Sequence, residues 1–128
     1  MYLGTSLFLD GKRYPMSGVL PITFGLENKP QAHGYSIFEV KRKNPFYSLG
    51  KVVNGHEFHY SRVLEFGRKK GVYFSFKMRR GEGIQERMDG ICYKNCLGTY
   101  SHIHALGCHE WSEGFVRGAV AYRDRKLV

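Results

Sequence analysis

From Val52 to Val63 apolar and polar side chains alternate with hardly a break, the period-two pattern of a strand with one buried face. Shorter stretches of the same pattern predict strands at Gly34–Val40, with Tyr35, Ile37 and Glu39 on one face, and at Val72–Met78. Met88 to His104 reads as one long strand, or as two joined at Asp89-Gly90. At the start, Met1–Leu9 alternates weakly and reads as the tail of a helix stopped near Gly4, with a turn following at Asp10-Gly11. Prolines bound Tyr14–Pro21 and cannot donate to a ladder, which limits that segment to a strand of about four residues. Loops are predicted at Leu26–Pro30, Asn44-Pro45, the basic Gly67–Gly71 and Arg80–Gly83.

The pattern changes period at the end. Between His109 and Arg125, Trp111, Phe115, Ala119 and Tyr122 recur at three- and four-residue intervals, one face of a helix, with Ser112 and Glu113 suited to its first turn. Gly114 and Gly118 weaken that helix by about 1 kcal/mol each relative to alanine. The expected architecture is α+β: one mostly antiparallel sheet of about four to six strands, then a C-terminal helix.

Composition narrows the class. With 128 residues, 42% hydrophobic and 15% aromatic, the chain supports one domain with a real core and not two. No run approaches the ~18 apolar residues of a membrane helix, and the first residues lack the basic region and apolar run of a signal peptide. A cytoplasmic protein without membrane contact is expected. Cys92, Cys96 and Cys108 are an odd set and fit reduced thiols. The formal charge of +9 suggests a polyanionic partner, yet the clusters Lys41-Arg42-Lys43, Arg68-Lys69-Lys70, Lys77 with Arg79-Arg80, and Arg123–Lys126 are short and scattered. A solvated basic surface therefore stands ahead of a nucleic-acid interface, and a non-catalytic basic module or partner subunit remains the alternative of another class.

Candidate chemistry concentrates in two segments. Four of the six histidines lie in Gly55-His56-Glu57-Phe58-His59-Tyr60-Ser61 and Gly98-Thr99-Tyr100-Ser101-His102-Ile103-His104. On a strand His102 and His104 share a face about 6–7 Å apart. A structural zinc is disfavoured, because Cys92 and Cys96 on one strand would be about 13 Å apart. His56-Glu57-Phe58-His59 is one residue short of the helical metalloprotease pattern. A cysteine nucleophile paired with a histidine base is the stronger idea, but on the same single-strand reading Cys96 lies roughly 20 Å from His102 and cannot be its partner.

Met1-Tyr2-Leu3-Gly4, Pro15-Met16-Ser17-Gly18-Val19-Leu20-Pro21, Gly34-Tyr35, the Gly55–Ser61 segment, Asp89-Gly90-Ile91, Gly98–His104 and Glu110-Trp111 together, and in this order, resemble the C-terminal glutamine amidotransferase domain of the cobyrinate and cobyric acid synthase group. The resemblance implies part of a flavodoxin-like, triad-type class I amidotransferase fold. In such enzymes a cysteine at a strand-to-helix elbow attacks the side-chain amide of glutamine, a histidine relays the proton, and ammonia passes to an ATP-binding domain that activates tetrapyrrole acetate carboxylates. Carried over by position, His102 is the general acid/base. His104 takes the place of the glutamate that orients the histidine in related enzymes, so a strict triad is not expected. Tyr60 and Ser61 are implied near the backbone groups of glutamine, with Glu57 and His59 on the opposite face. For Glu57 a structural role, a buried carboxylate holding His59 or Arg62, stands ahead of substrate binding; His56 and His59 are evenly balanced between packing and site.

The resemblance places the nucleophilic cysteine just before the segment that begins Met1-Tyr2-Leu3-Gly4. The expectation is therefore a fragment over 1–128, inactive alone, with the nucleophile and the ATP- and magnesium-binding domain elsewhere. Neither metal nor cofactor is expected in this chain. Partners implied are glutamine, a tetrapyrrole carboxylate, the missing N-terminal part or partner subunit, and a second copy covering an exposed sheet edge. A relative acting on a nickel tetrapyrrole would look nearly the same.

Overall fold

The computed structural model describes residues 1–126, which form nine strands, a turn of 3-10 helix and one α-helix. β1 (Ser6–Leu9) and β2 (Lys12–Pro15) are joined by Asp10-Gly11 at φ +50° and +74°, a two-residue turn whose twist suits an antiparallel hairpin. The turn is where the pattern put it. The helix tail is not: Ser6–Phe8 are paired on both sides, with β2 and, in parallel, with β3 (Ile22–Leu26). The strand sought in Tyr14–Pro21 likewise ends at Pro15, after which the Ser17 and Gly18 amides turn to the carbonyls of Tyr2 and Gly4. β6 (Ser61–Phe66) completes a four-stranded sheet of order β2-β1-β3-β6.

A second, five-stranded and wholly antiparallel sheet has β5 (Val52–His59), β4 (Ala32–Val40), β7 (Val72–Arg80), β8 (Met88–Tyr93) and β9 (Cys96–Gly98) in that spatial order. So the α+β, mostly antiparallel class with a C-terminal helix holds, but there are two sheets and not one. The long Val52–Val63 pattern is divided at Tyr60, because β5 pairs with β4 while β6 pairs with β3. Met88–His104 is divided by a two-residue turn at Lys94-Asn95, where Lys94 takes φ +53°.

Register explains the core. Phe38 lies opposite Val53 and Met78, and Val40 opposite Phe76, so one face carries all five; the Phe38 and Phe76 rings stack at 4.1 Å, and Tyr47 and Cys108 cover them. Leu20, Ile22 and Phe24 meet Ile91 in a second cluster between the two sheets. Each such side chain fully buried stabilises the fold by about 1.5–3 kcal/mol.

After β9 the chain crosses to the free edge of β5 in four residues, Gly98 to His102. Four residues span at most about 14 Å, less than the roughly 19 Å between the outer strands of a flat five-stranded sheet. The sheet must therefore curl, and the 99–101 segment straps its two edges together. Beyond it, the 3-10 turn Ala105–Gly107 leads into α1 (His109–Lys126), which occupies the predicted helix. Most of its apolar surface stays outside, with Trp111, Phe115, Val116 and Tyr122 exposed, although Phe115 stacks on Phe46 at 6.0 Å. The helix is also held by Gly114 against the Phe46 carbonyl and by Glu110, which accepts from the Ser48 amide at 2.9 Å and pairs with Lys51 at 3.3 Å.

Candidate active site

The strap is built from buried charge. Asp89, 0% exposed on β8, accepts hydrogen bonds from the Thr99 hydroxyl at 2.7 Å, the Tyr100 amide at 3.1 Å and the Ser101 amide at 3.0 Å. Glu57, 2% exposed on β5, accepts from the Glu82 and Gly83 amides at 2.9 and 3.0 Å. Ser36 and Ser101 hydroxyls meet at 3.3 Å, and Ser101 in turn reaches toward Glu57. A buried carboxylate is tolerable only when hydrogen-bonded, and each of these gains backbone donors. Glu57 holds the 81–83 loop, not His59 or Arg62 as expected; Arg62 pairs with Glu27.

His102 follows directly. Its amide donates to the His56 carbonyl at 2.7 Å and its carbonyl accepts from the His56 amide at 3.0 Å, a single β-bridge on the edge of β5. This approach requires Gly55: a Cβ there would stand 2.6 Å from the His102 carbonyl oxygen. The His102 side chain is exposed and its ring stacks on that of His56, with centroids 4.9 Å apart and planes at 20°. No hydrogen bond engages either ring nitrogen of His102 among the described residues. His104 serves a different partner, its Nδ1 accepting from the Leu106 amide at 3.3 Å to cap the 3-10 turn.

Strand parity sorts the other candidates. His56, Phe58 and Tyr60 alternate outward, and an exposed aromatic row with His33 packed edge-on to Phe58, and Phe58 to Tyr60, lies beside His102. Glu57, His59 and Ser61 share the opposite, inward side, so Ser61 does not accompany Tyr60 as expected. His59 Nδ1–H donates to the Ser61 carbonyl at 2.9 Å and its ring stacks on Tyr100 at 3.8 Å, while the Ser61 and Tyr100 hydroxyls are 2.6 Å apart. Burial pushes the Tyr100 phenol up to about 12. These groups, with Gln31, Arg62 and Arg87, line a cleft of about 280 Å³. The local pattern does not reveal the role of Asp89. Asp89-Gly90 has the look of a turn, which hid a buried carboxylate inside a strand.

The cysteines do not join His102 in the way a single strand predicted. Cys92 and Cys96 lie on neighbouring strands of a hairpin, with Cys92 opposite Leu97 and Tyr93 opposite Cys96, so the 13 Å and 20 Å separations do not apply. The two residues instead occupy opposite faces of that hairpin. Cys92 is fully buried with its thiol pushed up to about 11, and burial raises Cys96 as well. Both are poor nucleophiles on that account. Cys108 is buried against the Phe38 and Tyr47 cluster.

The strap thus presents a histidine unengaged among the described residues beside an aromatic row. Residues 1–109 match the CobB/CobQ-like glutamine amidotransferase domain, and the chain belongs to that family. Among similar proteins is the cobyrinate a,c-diamide synthase of Magnetococcus marinus, 37% identical over 117 residues, covering 91% of this chain and 25% of that protein. The enzymes of the same name from Archaeoglobus fulgidus and Methanobrevibacter smithii are 37% and 39% identical, covering 94% and 81% of this chain and 26% and 22% of theirs. The chain spans about a quarter of the length of these relatives.

Proposed function

We propose that this chain supplies the histidine side of a glutamine amidotransferase site, within an enzyme that amidates tetrapyrrole acetate carboxylates as cobyrinate a,c-diamide synthase does. The observation that carries this is His102: backbone fixed by a bridge and a carboxylate-held strap, ring exposed, both nitrogens unengaged among the described residues. Such an imidazole can take a proton from an attacking thiol and return it to the leaving ammonia. The thiol is supplied by a segment other than those containing Cys92, Cys96 and Cys108. Tyr60, on the same outward side, contacts glutamine; Glu57, His59 and Ser61 hold the frame behind it.

ATP and Mg²⁺ would drive the amidation, and the residues here do not fit that group: both deeply buried carboxylates are committed to backbone amides. Nucleotide and metal are therefore assigned to another part of the enzyme. No helix among the described residues is long and apolar enough to cross a membrane, which is compatible with a cytoplasmic enzyme. The test is glutamine hydrolysis. The 128-residue chain alone is expected to give none, and the chain combined with the thiol-bearing segment is expected to give activity that His102→Ala removes.

A further inference from the structure

We infer that His56 is a positioning residue for His102: its stacked imidazole, and not His104, fixes the plane in which the His102 ring offers its nitrogens. The inference rests on the amidotransferase reading for its consequence in catalysis, but its geometry stands independently. An imidazole that takes a proton from one partner and returns it to another must be held in one plane with the shuttling nitrogen free. The usual solution is a carboxylate on the far nitrogen, which fixes ring and tautomer together. Here the residue two positions on, His104, turns to the Leu106 amide.

The stack with His56 is the restraint that remains. The two residues are paired through both backbone hydrogen bonds at 2.7 and 3.0 Å, so their side chains leave neighbouring chains side by side, and the rings meet at 4.9 Å with planes 20° apart. Gly55 lets the chains come this close. No hydrogen bond engages a ring nitrogen of His56 among the described residues, so it is the face of His56 that acts. A face can be supplied by another aromatic ring. That separates this role from proton relay, which needs nitrogen.

The test compares His56→Ala with His56→Phe in two measurements. In the 128-residue chain, ring-proton NMR of His102 should show the ring-current shift lost with alanine and kept with phenylalanine. In the chain combined with its thiol-bearing segment, His56→Ala should lower kcat for glutamine hydrolysis by about ten- to a hundredfold with KM unchanged, and His56→Phe should restore it to within about threefold. Unaltered His102 ring signals in His56→Ala overturn the inference, and so does a phenylalanine variant as slow as the alanine one. If His102→Ala leaves hydrolysis untouched, the amidotransferase reading fails, while the NMR comparison still decides whether His56 sets the ring.

Discussion

The buried carboxylate of Asp89 accepts the amide of Ser101 at 3.0 Å, one residue before His102, and so links the start of β8 to the edge of β5. With the Tyr100 amide and the Thr99 hydroxyl it gathers three donors. Asp89→Asn keeps the shape but turns an NH₂ toward donors. Hydrogen bonds to a charged acceptor are worth about 1.5–3 kcal/mol each, and part of that set survives in asparagine. The expected loss is about 2–4 kcal/mol in chemical denaturation, with faster amide exchange at 100–102. A change below about 0.5 kcal/mol would show that the strap is held by something else.

The two helix glycines should respond in opposite directions. Gly118 has open space around an added Cβ, and alanine there should stabilise the protein by about 1 kcal/mol. Gly114 would put its Cβ 2.2 Å from the Phe46 carbonyl oxygen, so Gly114→Ala must push the helix off the body. Limited proteolysis between 103 and 110 should become faster for Gly114→Ala and no faster for Gly118→Ala. Equal behaviour of the two variants would contradict this packing.

Stability should fall at alkaline pH. Cys92 is raised from 9.0 to about 11 and Tyr100 from 10.0 to about 12, in both cases chiefly by burial. Below pH 9 both groups are protonated in folded and unfolded chains alike. Above it the unfolded chain loses protons that the folded one keeps, so stability declines from about pH 9 toward 12. Cys92→Ala should remove the part of the slope between about pH 9 and 11, measured by urea denaturation across that range. An unchanged slope would mean that Cys92 is not protected from ionising.

These cases show what the sequence pattern could and could not carry. Strands at 34–40 and 72–78, the Asp10-Gly11 turn and the terminal helix were legible because each is decided locally, by period or by turn chemistry. The break at Tyr60 was not, since alternation continues through it and only pairing partners change. Lys94 at positive φ carries no glycine signal for its turn. The apolar helix face looked like core, yet it stays largely exposed, and the close approach of helix to body is allowed by Gly114, a residue that propensity alone counts as a weakness. Of the site, His102 was visible through its segment. His56 was visible in the same way but its pairing with His102 was not, and neither was the role of Asp89, because both act through pairings that no local window contains.

A second copy is expected over an exposed sheet edge, and the exposed aromatic side of α1 offers a further surface for it. Trp111 and Phe115 stack at 6.0 Å, and Phe115 is 57% exposed. Light scattering at micromolar concentration should report a dimer or larger species, and Phe115→Glu should shift it toward monomer. A strictly monomeric chain would count against self-association through this helix.

The central claim is that His102 moves the proton in glutamine hydrolysis. The direct measurement is the rate of glutamate release by the chain combined with its thiol-bearing segment, with and without His102→Ala. The account predicts a fall of about 10²–10⁴-fold in kcat with the fold intact by circular dichroism. A folded His102→Ala variant that hydrolyses glutamine at the unaltered rate would contradict it.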